Sequence, residues 1–371
     1  MIIRRLYDSL DSRFNNMLME YKSKKIHRHI VVFESDDWGS IRMPSLVTRE
    51  ILLNKGLTLG SPQTYDYYDT LASNSDIENL AEILLSVKDI NGNPAKITMN
   101  YCMANPDFDK IRDSDFSEYF YEPFTETLKK YPHHDKSYDI CKKGIQENIF
   151  KPQFHGREHL NALKWLNYLQ NGNREMVEAF RQKFFSIKVQ GDRMLPAYDI
   201  SNIEEQSFVS ESIRDGLNMF ESLFGFRSLS MIAPCYTWDV NVEKTAHKYG
   251  VKTIQGGYRQ IQPKVEKKRS IYHYMGEKNK YGQIYLTRNC YFEPTQDKAF
   301  NGENCFRQIE KQFKASRPAV VSCHRLNFIG DLVSSNRDNN LKDFKMMLDK
   351  LLSKHPDVIF MSSDELGKLY E

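Results

Sequence analysis

Hydrophobic residues along the chain fall into two alternating kinds of segment. Short continuous apolar runs of the kind that fits a buried parallel strand occur at residues 29–35, 96–101, 228–234, 319–324 and 358–363. Between them, over 76–87, 159–170, 210–225 and 341–353, apolar residues recur at steps of three and four, the spacing of one helix face. Strands alternating with helices predict parallel βα units, and so an α/β sheet or barrel with helices packed outside. A further helix is predicted at the N-terminus, residues 1–27, where Ile3, Leu6, Leu10, Phe14, Met17 and Tyr21 follow the same step. It either packs on the outside of the domain or lets its basic face make a weak peripheral membrane contact with anionic lipid. With no repeat and no low-complexity linker, one continuous domain over 1–371 is expected.

Composition narrows the class. The 371 residues are 40% hydrophobic and 27% charged, ordinary globular values. Lys+Arg 52 against Asp+Glu 49 leaves a net charge of +3, too small an excess for a nucleic-acid surface. Mean hydropathy is −0.61, and no apolar run approaches the roughly 18 residues that a transmembrane helix needs. The N-terminal residues carry charges throughout and lack the apolar core of a secretory signal, so a cytoplasmic chain is expected. Six scattered cysteines without a CxxC pair are expected to be reduced thiols.

In α/β folds the chemistry gathers where strands end, and polar residues stand at four such places. Asp36 and Asp37 follow the run 29–35 directly; such a pair suits a cation that neutralises one carboxylate and leaves the other as a base, or else an Asp-Asp loop with a capping role. His155 and His159 are four apart, so that on a helix they share one face and meet one cation. Gly156 after the first histidine excludes the HExxH pattern of metalloproteases. The run 228–234 ends on Pro234, and the bend there could turn the backbone N–H of Cys235 or Tyr236 toward a reacting oxygen. His324 ends the run 319–324, a natural place for a general acid. Together Asp37, His155 and His159 form a neutral-nitrogen, anionic-oxygen donor set suited to zinc or another borderline divalent cation with an open position for water.

The order Asp-Asp, HxxxH, Pro-x-Tyr, Ser-x-His over roughly residues 30–328 resembles the polysaccharide deacetylase family, the NodB-homology carbohydrate esterases. The resemblance implies a distorted (β/α) barrel of the glycoside hydrolase/deacetylase type, holding a divalent metal, usually zinc, and removing acetyl groups from a sugar, glycan or glycan precursor. Carried over, Asp36 is the catalytic base, Asp37, His155 and His159 are the metal ligands, Pro234 and Tyr236 belong to the motif whose backbone holds the oxyanion, and His324 is the acid. Three departures stand out. Ala233 occupies the place of the arginine that steadies the base, for which Arg157 or Arg325 could substitute. No aspartate-tryptophan pair that would tune the acid is found between residues 250 and 263. The stretch from about 45 to 150 is long, and is read as containing an inserted helical region that shapes or lids the cleft. Trp38, Pro234, Trp238, Arg157 and Arg325 are the expected substrate contacts, the tryptophans as platforms for sugar faces. The departures keep two rivals open: a non-catalytic glycan-binding protein on the same barrel, and a hydrolase of another C–N bond. A structural zinc site using Cys235 and Cys323 is a third.

Overall fold

The computed structural model describes residues 13–59, 65–266 and 270–371. Its core is a parallel sheet whose strands, in chain order, are β1 (Ile30–Trp38), β2 (Ile97–Tyr101), β3 (Phe150–Phe154), β4 (Ser230–Ile232), β5 (Thr253–Gly256), β6 (Ile284–Thr287), β7 (Cys290–Tyr291), β8 (Ala319–His324) and β9 (Ile359–Met361). The spatial order is β6-β5-β4-β3-β2-β1-β8-β7, with β9 paired to the start of β1 on the edge away from β8. Eight strands curl into a half-barrel surrounded by helices, the distorted (β/α) barrel expected from the sequence.

The strand period of two explains both layers. Val31 and Phe33 of β1 pack outward with Phe344 and Phe360 in the main core, while Ile30 and Val32 face inward against Leu286, Val320 and Leu366. Continuing the inward row places Glu34 and Asp36 inside the barrel, both buried. Burying a carboxylate is tolerated only when it is paired, and Glu34 is held by Arg288 and by Ser363 Oγ, 2.7 Å each. Ser363 opens the last helix, α1 (Ser363–Lys368), which closes the end of the barrel opposite the site.

Four strands, β3, β5, β6 and β7, have no counterpart among the predicted runs. They are two to five residues long, and β3 and β5 carry Pro152 and Gln255 where an apolar residue would signal a strand. The stretch 45–150 divides: β2 is hydrogen-bonded between β1 and β3, and the helix Asn74–Leu85 packs on the sheet. Shorter helices and the hairpin Ala104–Pro106 with Tyr121–Pro123 make up much of the rest. Residues 13–22 are helical as expected. The side of that helix that packs carries Met19, however, while Phe14, Met17 and Tyr21 are exposed; Ile3, Leu6 and Leu10 lie outside the described residues. No helix among the described residues is long and apolar enough to cross a membrane.

Candidate active site

Asp36 and Asp37 are neighbours in a strand, where regular geometry would send them to opposite faces. The β1–β2 register shifts between Ser35 and Trp38, and Asp37 adopts φ +74, a left-handed conformation that a non-glycine residue holds only under constraint. This irregularity turns both carboxylates into one cavity of about 270 Å³ at the C-terminal end of the sheet. Gly39, at φ +78, completes the turn, and a Cβ there would lie 2.4 Å from the Cys102 carbonyl oxygen. Gly39→Ala is therefore expected to destabilise the fold by about 2 kcal/mol or more, read as a lowered denaturant midpoint.

His155 and His159 also line the cavity, but not from a helix. They sit on the loop between β3 and the helix Ala162–Gln170. The loop turns at Gly156, φ +112, and so brings the two rings to 5.0 Å between centroids. Asp37 Oδ1 lies 3.4 Å from His155 Nε2 and 3.5 Å from His159 Nε2. Those separations are what a tetrahedral cation with bonds of about 2.0–2.1 Å imposes on its ligands. His155 Nδ1 is 3.0 Å from the Ile232 carbonyl oxygen, so its N–H points there and Nε2 is left as the donor to a cation. Asp37 Oδ1 is buried and accepts no hydrogen bond, although Arg42 Nη2 lies 3.1 Å away in poor alignment. An orphaned carboxylate oxygen facing two imidazole nitrogens fits a divalent cation, and these are the residues that would hold one. Burial, and then the Arg42 guanidinium, push His159 well below its ordinary value, which keeps it neutral as a ligand must be.

Beside this trio Asp36 is clamped by Arg288, whose Nη1 donates to Oδ2 and Nη2 to Oδ1, both at 2.7 Å. Asn100 Nδ2 adds a third bond at 2.8 Å. Burial alone would raise the Asp36 carboxyl, but Arg288 outweighs it and brings the group down to about 2. Arg288 stands directly after β6, whose register on β5 carries it into the interior. It provides in space the arginine that is absent beside Pro234. Arg157 and Arg325, proposed from sequence for that role and for substrate contact, are both buried away from the cavity. Arg157 pairs with Glu158 and lies over Tyr121, and Arg325 forms two 3.0 Å bonds to Asp69.

His324 is the register partner of Asp36 across β1 and β8. Its Nε2 is 3.7 Å from Asp36 Oδ2, and its Nδ1 is 2.5 Å from Glu293 Oε1. Burial would lower this imidazole; Glu293 reverses the effect and raises it to about 9. Glu293 in turn accepts from Asn327 and Gln296. The tuning carboxylate thus comes from the loop after β7, outside residues 250–263 where a partner was sought.

Cys235 and Tyr236, at φ +53 and +54, form the tight turn after β4, and both line the cavity. The Tyr236 N–H donates back to Ala233 O at 3.0 Å; among the described residues no acceptor meets the Cys235 N–H. Tyr236 OH accepts from Arg288 Nη1 at 3.1 Å. Pro234, Trp38 and Trp238 do not line the cavity. Trp38 and Trp238 are fully buried, their indole N–H groups bonded to Ser35 Oγ and Glu243 Oε1, so neither offers a face to a sugar. Tyr65, from the stretch 45–150 read as shaping or lidding the cleft, does line it, edge-on to His324 at 5.5 Å. Cys323 donates to the Glu34 carbonyl and, with Cys235, is not part of the cluster around Asp37.

Sequence comparison matches the chain to no family profile and to no curated protein. Structural comparison aligns it with a candidate glycoside hydrolase/deacetylase from Parabacteroides distasonis at a TM-score of 0.50 and 10% identity, over 93% of this chain and 72% of that one. A candidate polysaccharide deacetylase from Mycobacterium smegmatis aligns at 0.44 and 10%, over 94% and 92%. Another from Pseudomonas aeruginosa PAO1 aligns at 0.45 and 11%, over 92% and 91%. At such identities the likeness is one of fold, and the first of the three supports the barrel described above.

Proposed function

We propose that the protein is a metal-dependent hydrolase that removes an acetyl group, most simply an N-acetyl group, from a sugar, glycan or glycan precursor. The observation that carries this reading is the meeting, in one cavity, of the Asp37–His155–His159 trio with a clamped carboxylate and a carboxylate-tuned histidine. The trio would hold the cation, zinc by its donor chemistry. Such a cation supplies an acidified water and polarises a carbonyl.

The remaining roles fall to the chain's own residues. Asp36, held ionised by Arg288, receives the proton of the attacking water. At about 2 it is a weak base, so its part is to orient that water and accept a proton already made acidic. The amide of Cys235, on the turn after β4 that lines the cavity, would donate to the oxygen on which charge develops. His324, protonated at neutral pH because of Glu293, gives its proton to the departing nitrogen. A non-catalytic reading was motivated by the missing arginine and the missing acid partner; Arg288 and Glu293 weaken that motive.

Elemental analysis beside acetate release from N-acetylated sugars tests the reading. About one divalent cation per chain is expected in the wild type, and none in Asp37→Ala or His159→Ala purified without added metal. A wild type that stays metal-free after incubation with zinc would refute the reading.

A further inference from the structure

Arg193 lies opposite Lys188 in a short hairpin, Lys188–Val189 against Asp192–Arg193. Directly opposed residues of an antiparallel pair project from the same face, and like charges so placed destabilise the pair. Both cations line a second cavity of about 300 Å³. It shares Arg42, Tyr65, Arg193 and Leu195 with the catalytic cavity and continues to Lys188 and Ser186.

The charges of the two cavities are otherwise matched. Arg288 is spent on Glu34 and Asp36, and Arg42 on Asp37 and Asp69. Asp192, next to Arg193, is taken by Lys264 at 2.6 Å; Asp66, the one carboxylate on the second cavity's described wall, is engaged in an interaction as well. Among the described residues neither Arg193 nor Lys188 forms an ion pair. Ser186 Oγ, on the same wall, is buried without a hydrogen-bond partner. Arg193 lines the catalytic cavity together with Cys235, and its positive charge acts on the Cys235 thiol, lowering it against the stronger upward push of burial.

We propose that the substrate carries an oxyanion, a phosphate or a carboxylate, received by Arg193 and Lys188 in the second cavity while the acyl group lies beside Asp36. An arginine fork is matched to such a group, and an anion between the two side chains would turn their repulsion into attraction. This inference rests on the deacetylase reading for the acyl group, but not for the anion.

Two measurements separate them. Pyrophosphate and glucuronate binding is measured by calorimetry with chelator present, so that neither probe is held by a cation at Asp37. Affinity for at least one is expected to fall about tenfold in Arg193→Ala and to be partly restored in Arg193→Lys. Metal-loaded enzyme is then compared on N-acetylglucosamine 1-phosphate, an N-acetylated aminouronic acid and neutral N-acetylglucosamine. A charged sugar is expected to be preferred about tenfold or more in kcat/KM, the preference collapsing through KM in Arg193→Ala, and the charged sugar preferred identifies the source of the oxyanion. Equal anion affinity in wild type and Arg193→Ala, or acetate released from all three sugars with no preference for either charged one, overturns the proposal. Anion binding lost in Arg193→Ala, with no acetate released from any sugar, leaves the anion site standing and overturns the deacetylase reading.

Discussion

Arg288→Met is expected to destabilise the protein by about 3–5 kcal/mol, because it strips the partner from two buried carboxylates at once, Glu34 and Asp36. Turnover is expected to fall by about 10²- to 10⁴-fold, the whole contribution of a positioned base. The two effects separate in Arg288→Lys. A lysine keeps the charge but not the fork that meets both Asp36 oxygens, so stability should largely return while turnover stays low. The pH profile supplies an independent reading. Asp36 sits at about 2 only because Arg288 overcomes burial. Without the guanidinium its carboxyl rises, and the acid limb of the rate profile should move upward into the carboxylate range or above it. Linkage has the same sign. A depressed carboxyl contributes stability that is present above its unfolded value of about 3.9 and is lost as pH falls toward 2, so the wild type should lose stability over that interval, whereas the variant, less stable at neutral pH, should not lose it there through Asp36. A stable, fully active Arg288→Met would remove Asp36 from the mechanism.

How far the sequence could be read follows from what each feature depends on. The strand and helix alternation was visible because β1 and β8 are continuous apolar runs, and because long helices such as Gln206–Phe224 keep their period over several turns. Asp36, Asp37 and His324 were visible because each abuts such a run. His155 and His159 were found by spacing, though for a reason that does not apply here: a Gly156 loop, not a helix, brings them together. Arg288 and Glu293 were not found. They follow β6 and β7, strands of four and two residues that give almost no periodic signal, and their partners lie more than 250 and about 30 residues away in the chain. A basic residue directly after Ile284–Thr287 was the available clue, once that run is recognised as a strand. The aromatic predictions failed for a different cause. Trp38 ends β1 and Trp238 follows the tight turn after β4, but a large ring beside a bulge or a tight turn fills the packing gap that the turn opens.

The last prediction concerns the acid. His324→Ala is expected to lower turnover about 10²- to 10⁴-fold at every pH where the wild type works, with the metal content unchanged. Glu293→Gln should act differently, because it leaves the imidazole in place and removes what raises it. In the wild type His324 is held up to about 9 by Glu293 against the pull of burial. A general acid must be protonated, so the alkaline limb of kcat/KM is expected near 9. With a neutral glutamine, burial prevails and the limb should fall to about 6.5 or below, making the variant roughly 30-fold slower than wild type at pH 8 and faster again as the solution is acidified. Stability carries the same signature. A histidine raised in the folded state contributes stability that is complete below its unfolded value of about 6.5 and disappears as pH climbs through 9, so the wild type should lose stability across that interval and Glu293→Gln should not. If the alkaline limb of Glu293→Gln coincides with that of the wild type, His324 is not the proton donor, and the 2.5 Å contact with Glu293 is only structural.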